Sequence, residues 1–219
     1  DLLLYVSGAR GFKSGGFNGR ALDANALLTY DPEYVTTYEA GLKSEWFGNR
    51  MRANLAIYYS DYKDIQLTAV TAVNGAIYAV TQNVAEATIK GGELELEAMP
   101  LEALTLSASV GLLDNKFDKV AAGTQGISER SQLPLAPDTT FTFGARYEAS
   151  LGDAYRLVLR GDYAYRSDVF TDVVNSPILE QQGFGLTSAS ITLQPTSGQW
   201  AVILGGTNLT DEEYFMSGV

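Results

Sequence analysis

Apolar and polar residues alternate along most of this chain with a period of two, the period of a β-strand. The pattern is plainest from Tyr34 to Gln66. Tyr34, Thr36, Tyr38, Ala40, Leu42, Ser44 and Trp46 fall in one row, and Val35, Thr37, Glu39, Gly41, Lys43, Glu45 and Phe47 in the other. After a tight turn at Gly48-Asn49-Arg50, Met51, Ala53, Leu55, Ile57 and Tyr59 alternate with Arg52, Asn54, Ala56, Tyr58 and Ser60. Each strand thus has one apolar and one mostly polar face. In a strand tilted by about 40°, Tyr38 to Trp46 covers about 20 Å of a membrane normal, and starting from Tyr34 gives about 30 Å. These lengths bracket the apolar band of an outer-membrane barrel between its aromatic girdles. Strands of soluble sandwiches are usually half as long.

The rest of the chain follows suit. Leu2 to Phe12 reads as a strand, and Phe12 to Pro32 as a long loop rich in Gly, Asn and Asp. Leu67 to Gln82 reads as a second long connection, with a turn at Asn74-Gly75 that suggests a short hairpin. In Asn83 to Met99, Leu94, Leu96 and Ala98 oppose Glu93, Glu95 and Glu97, while Ala85, Ala87 and Ile89 sit in the opposite phase. A bulge near Gly91-Gly92 would reconcile the two halves. Past a turn at Pro100–Ala103, Leu104, Leu106, Ala108, Val110 and Leu112 alternate with Thr105, Ser107, Ser109 and Gly111. Asp118 to Pro137 is the third long loop. Strands at Thr140–Glu148 and Tyr155–Arg166 flank a turn at Leu151-Gly152-Asp153. Ser167 to Gly183 is the fourth long loop, and strands Phe184–Gln194 and Trp200–Leu209 flank a turn at Pro195–Gln199.

The expectation is an all-β chain of about nine antiparallel strands whose connections alternate long and short. Segregation of short turns to one side and long loops to the other marks a transmembrane up-and-down β-barrel. An odd count leaves both ends running the same way, so closure would need a parallel pair. The chain therefore reads as a fragment of a larger barrel, already inside a strand at Leu2 and lacking the closing strand.

Composition narrows the chemistry. The chain has 219 residues with 22 Gly, 13 Tyr, 9 Phe and 6 Pro, enough for one large β-domain and rich in girdle-forming aromatics. No apolar run approaches the roughly eighteen residues of a membrane helix. The net charge of −11 argues against nucleic acid as a partner and against anionic lipid head groups as the main one. With no Cys there is no disulfide or thiolate site, and with no His the commonest general base and metal ligand are missing. No cofactor, no metal site and no enzymatic activity are expected; barrel hydrolases depend on a His.

Several stretches, in order and spacing, resemble the C-terminal part of a TonB-dependent receptor β-barrel. They are Gly11 to Asn18 (GFKSGGFN), Asp31-Pro32-Glu33 leading into Tyr38 to Lys43 (YEAGLK), Tyr58 to Gln66 (YYSDYKDIQ), Ile89 to Leu96 (IKGGELEL) and Gly206 to Tyr214 (GTNLTDEEY). The resemblance covers nearly the whole chain, 1–219. It implies a barrel of about 22 strands with a plugged lumen, whose plug, first barrel half and last strand lie outside this sequence. It implies residence in the bacterial outer membrane, in contact with lipid, and uptake of a scarce small-molecule ligand, most often a ferric siderophore or other iron complex. The plug would link the receptor to the TonB-ExbB-ExbD system. A passive porin-like or structural barrel is the alternative; it would share the alternation but need no plug.

On that reading the polar row lines the lumen. Arg166 near the outer rim and Arg160 midway are candidates to attract an anionic chelate, since guanidinium pairs well with oxygen ligands. Lys13, Phe17 and Arg130 are loop candidates to close over it. Glu93, Glu95, Glu97, Arg146 and Arg156 are expected to face the lumen or plug. Against these stand a hydrated, self-paired wall and ordinary loop packing. Tyr38, Trp46, Tyr147, Tyr155, Tyr163 and Trp200 are girdle candidates. Gly15-Gly16 and Gly91-Gly92 precede no helix and are not phosphate loops.

Overall fold

The structure, a computed structural model, describes residues 1–18, 27–73 and 76–217. Nine strands form one antiparallel sheet: β1 (Leu2–Lys13), β2 (Glu33–Trp46), β3 (Met51–Val73), β4 (Ala76–Leu101), β5 (Leu104–Val120), β6 (Thr139–Leu151), β7 (Tyr155–Arg166), β8 (Phe184–Pro195) and β9 (Val202–Gly206). Each strand pairs with its sequence neighbours, so the topology is a plain meander. The short connections β2–β3, β4–β5, β6–β7 and β8–β9 lie at one end, and the long connections β1–β2, β5–β6 and β7–β8 at the other, where β3 and β4 also run on as an extended pair. Two short ribbons decorate the long-loop end: Gly16–Phe17 with Thr29–Tyr30, and Val169–Phe170 with Glu180–Gln181.

Register keeps like with like across the sheet. Leu42, Leu55, Leu94, Val110, Phe141 and Tyr165 form one cross-strand row. On the opposite face Glu45, Arg52, Glu97, Ser107, Gly144, Asp162 and Ser188 form another. Large side chains of the apolar face are open, with Val6 83% and Ile57 58% exposed. In water such a patch would drive aggregation; against acyl chains it is at home. At the β2–β3 turn Phe47, Gly48 and Asn49 all take positive φ (56°, 65° and 67°), which closes the hairpin within four residues.

Two sequence expectations are corrected. Leu67 to Gln82 is not a loop: β3 and β4 run on for 23 and 26 residues, pairing to Val73 and Ala76. Leu67 to Gln82 is rich in Thr, Val and Ala, and its backbone ladder needs no continuous apolar face to go on. Asn74-Gly75 lies outside the described residues. The bulge is not at Gly91-Gly92 either, because Gly91 pairs with Tyr58 and Gly92 with Ile57 in unbroken register. Gly91 is small because the Tyr58 ring lies over it, where a Cβ would overlap the hydroxyl. The register shifts instead between Tyr62, Ile65 and Gln66 on β3 and between Glu86 and Ala87 on β4, with Asp64 at φ 56°. A smaller difference is that β9 starts at Val202 and ends at Gly206.

Ala85, Ala87 and Ile89 need no bulge, since they lie on the same face as Glu93, higher up the strand. There Ile65, Ala85, Ala87, Phe117 and Ile127 make a buried cluster, backed by Tyr62, Leu67, Val120, Leu133 and Val173. The core of the described chain therefore sits at the long-loop end of the otherwise polar face.

Candidate functional site on the polar face

The polar face is built by odd positions of β1, β2, β4 and β5 and even positions of β3, β6, β7 and β8, as the register requires. Towards the short turns it carries charge of both signs in separate columns. Glu93, Glu95 and Glu97 stand on β4; Asn54 donates to Glu95 (3.2 Å), and among the described residues none of the three has a cation within ion-pair distance. On β6 and β7 the arginines are engaged. Arg146 and Arg156 both reach Glu148, the second at 3.5 Å, and Arg160 grips Asp162 through two hydrogen bonds of 2.8 and 2.9 Å.

Arg166 differs. It is the last residue of β7, in the row of Thr140 and Phe184, below the long loops. Its guanidinium carbon lies 4.7 Å from the centre of the Phe184 ring. Phe184 is in turn stacked on Tyr214, with centroids 4.4 Å apart and planes 17° from parallel. Nε and Nη2 of Arg166 are buried and have no acceptor from the protein; Asn115 Nδ2 is the other such atom among the described residues. All three are donors, so this end of the wall suits an acceptor-rich group.

The resembling motifs explain how the loops are held around this face. Asn208, at φ 51°, accepts from the Glu212 amide (2.9 Å) and donates to its carbonyl (3.0 Å), while the Leu209 amide donates to Thr187 (2.9 Å). That clasp lays Tyr214 on Phe184. Glu33 is buried and accepts from the Tyr62 hydroxyl (2.8 Å) and the Gln66 amide (2.7 Å). Gln66 Nε2 donates to Asp31 O (3.1 Å), and Asn18 bonds Thr81 in both directions.

The remaining candidates are scattered. Lys13, at the end of β1, pairs with Glu33 at 3.5 Å. Phe17 is 65% exposed on its ribbon, and Arg130 is exposed on the loop after β5. β1 and β7 are six strand steps apart in the sheet, about 29 Å at 4.8 Å per step, so Lys13 and Arg166 are not brought together on this wall. Phe184 and Tyr214 were not foreseen as partners of Arg166. Their only signal is position: Phe184 opens a strand between Gly183 and Gly185, and Tyr214 ends the GTNLTDEEY motif. Tyr38, Trp46, Tyr147, Tyr155, Tyr163 and Trp200 are each more than a third exposed. The five of these within strands lie on the apolar face, and Trp200 meets Tyr155 with ring centres 6.1 Å apart.

Comparison with known proteins agrees with this geometry. The family model described as TonB dependent receptor-like, beta-barrel matches residues 1–209. A probable TonB-dependent siderophore receptor, PiuA of Acinetobacter baumannii, is 25% identical over 168 residues, 74% of this chain and 21% of that protein. Among solved structures, the ferric yersiniabactin uptake receptor FyuA of Yersinia pestis superposes on all of this chain with a TM-score of 0.82 at 19% identity. The chain covers 32% of FyuA. The PiuA crystal structure aligns over 98% of the chain with a TM-score of 0.73 at 21% identity, and the chain covers 30% of it. The chain thus spans about a third or less of these relatives' lengths. A wall of alternating faces, long loops on one side and this match over nearly its full length have one reading: the chain belongs to the TonB-dependent receptor β-barrel family, receptors of the bacterial outer membrane rather than enzymes.

Proposed function

We propose that this chain is the C-terminal part of the barrel domain of a receptor that takes up an iron complex, most simply a ferric siderophore, across the outer membrane. A plug domain fills the lumen, and the TonB-ExbB-ExbD system drives transport through it. The apolar face meets lipid, with Tyr38, Trp46, Tyr147, Tyr155, Tyr163 and Trp200 at its borders. The unpaired column Glu93, Glu95 and Glu97 faces the plug, together with Arg146 and Arg156.

The observation that carries the ligand reading is Arg166, a guanidinium seated on an aromatic column with two N–H groups lacking an acceptor. An anionic chelate offers oxygens in the planar arrangement that guanidinium prefers. Arg160, Lys13, Phe17 and Arg130 are secondary candidates. Arg160 and Lys13 would have to leave Asp162 and Glu33 to take part.

The test uses the intact receptor in cells and radiolabelled ferric chelates of the catecholate, hydroxamate and carboxylate classes. Binding is expected without energy, and uptake only when the TonB system is present. Uptake that persists after its removal overturns active transport and favours a passive pore. Arg166→Gln is expected to weaken binding of the transported chelate by roughly 10- to 100-fold, the scale of one charge-assisted hydrogen-bonded contact. Unchanged affinity removes Arg166 from the site.

A further inference from the structure

The connections 121–138 and 167–183 leave the same end of the sheet, one after β5 and one after β7. Each is tied down twice, by side chains and by backbone. Ile127 of the first is 6% exposed within the cluster of Ile65, Ala87 and Phe117, and Leu133 packs beside it. Val173 of the second joins the same cluster, and Val169 is 2% exposed. The Leu133 amide donates to Asn115 Oδ1 on β5 (2.9 Å), and the Leu135 amide donates to the Phe170 carbonyl in the other connection (2.9 Å). Asn175 clasps Gln132 from both sides, accepting from its amide (2.6 Å) and donating to its carbonyl (3.1 Å). Leu135 and Asn175 hold positive φ, 58° and 55°, which non-glycine residues keep only where their surroundings impose it.

We infer that these two connections are one folded cap, a fixed side of the receptor's mouth and not a lid. Lifting the cap would unseat Ile127, Leu133 and Val173 from Phe117 and strip both backbone groups of Gln132 of their partners. Loops that move on capture are poor in such buried apolar contacts and paired backbone. Any closure over a ligand then belongs to other connections around the mouth. The inference rests on the uptake reading only for calling this end the mouth; the fixity is a property of the empty protein.

Hydrogen exchange on the intact receptor in lipid nanodiscs, without ligand, tests it. The amides of Gln132, Leu133 and Leu135 are expected to exchange at least about 100-fold slower than in an unstructured peptide. Asn175→Ala removes the clasp and strains the backbone; Asn175→Gly removes the clasp but accepts positive φ. Both variants should speed exchange at Gln132 and Leu135 by about tenfold or more while leaving Leu42 and Leu55 of the wall unchanged. Exchange near the unstructured rate in the unaltered receptor overturns the cap. So does acceleration in neither variant, and acceleration in Asn175→Ala alone overturns the role of the clasp. Failure of uptake in the cell assay would leave these rates as they are, so the two readings fail separately.

Discussion

β5 holds two opposite proteins within seventeen residues. In its first half Leu104, Leu106 and Val110 point to the outer face, and Thr105, Ser107 and Ser109 to the inner. Near its other end Lys116 points outward and Phe117, 2% exposed, points inward. The neighbouring strands do the same. Leu42, Leu55 and Leu94 share an outer row, whereas farther up the outer face carries Lys63 and Lys119, both paired with Glu86 at 2.5 and 2.9 Å. The period of two never changes; the sign of the polarity does. In the lower region lipid lies outside and water inside, so the apolar row faces out. Above the membrane water lies outside, the loops close over the inner side, and the apolar row faces in, as in a soluble barrel. Periodicity reports the strand, and polarity reports the solvent on each side of it.

This contrast can be broken by experiment. The largest effect is expected from Phe117→Ala, which empties the centre of the inner cluster and should cost about 3–5 kcal/mol of stability, read by urea unfolding of the intact receptor in vesicles. A loss below about 1 kcal/mol would mean that the upper region has no core of its own, the fate of a substitution at an open surface. Next comes a pair on the same outer face. Leu55→Arg, in the lipid row, should cost about 2–4 kcal/mol, whereas Lys116→Leu, above it, should stay within about 0.5 kcal/mol of the unaltered protein. Equal costs would show that both positions meet the same medium.

The smallest effect concerns Asp138, in the connection before β6. Its carboxyl is pushed above the ordinary aspartate range, first by partial burial and then by the Asp168 and Asp114 carboxylates. A folded-state value raised above the unfolded one contributes stability that is full below the unfolded value and is lost as pH rises through the folded value. Asp138→Asn should therefore leave stability unchanged in acid and raise it slightly at neutral pH, measured as the shift in unfolding temperature between the two. A rise of the same size at both pH values would assign the effect to something other than this ionisation.

Most of the wall is legible in the chain because a strand writes its faces locally, two residues at a time. The nine strands, the side that carries the long loops, and the shared face of Leu104, Leu106 and Val110 follow from that alone. Local patterning misleads where the polarity reverses. Ala85, Ala87 and Ile89 look out of phase, and a bulge at Gly91-Gly92 is the local remedy; the true cause is a loop residue, Ile127, that packs with Ala85 and Ala87 from forty positions or more away. Leu67 to Gln82 failed for its own reason: the pairing runs on to Val73 and Ala76, although the apolar Leu67, Ala69, Val70, Ala72 and Val73 keep no period of two that would announce a strand.

The candidate site divides along the same line. That Arg160 and Arg166 share the inner face is a matter of parity on one strand, visible in the residues themselves. That Arg160 is held by Asp162 while Arg166 keeps two donors free above Phe184 is a matter of which distant side chains arrive beside each. Alternation is short-range and survives in the linear order of residues. Partnership depends on loops folding back across the sheet, where Tyr214 reaches Phe184 and Asn175 reaches Gln132, and only the assembled chain settles those meetings.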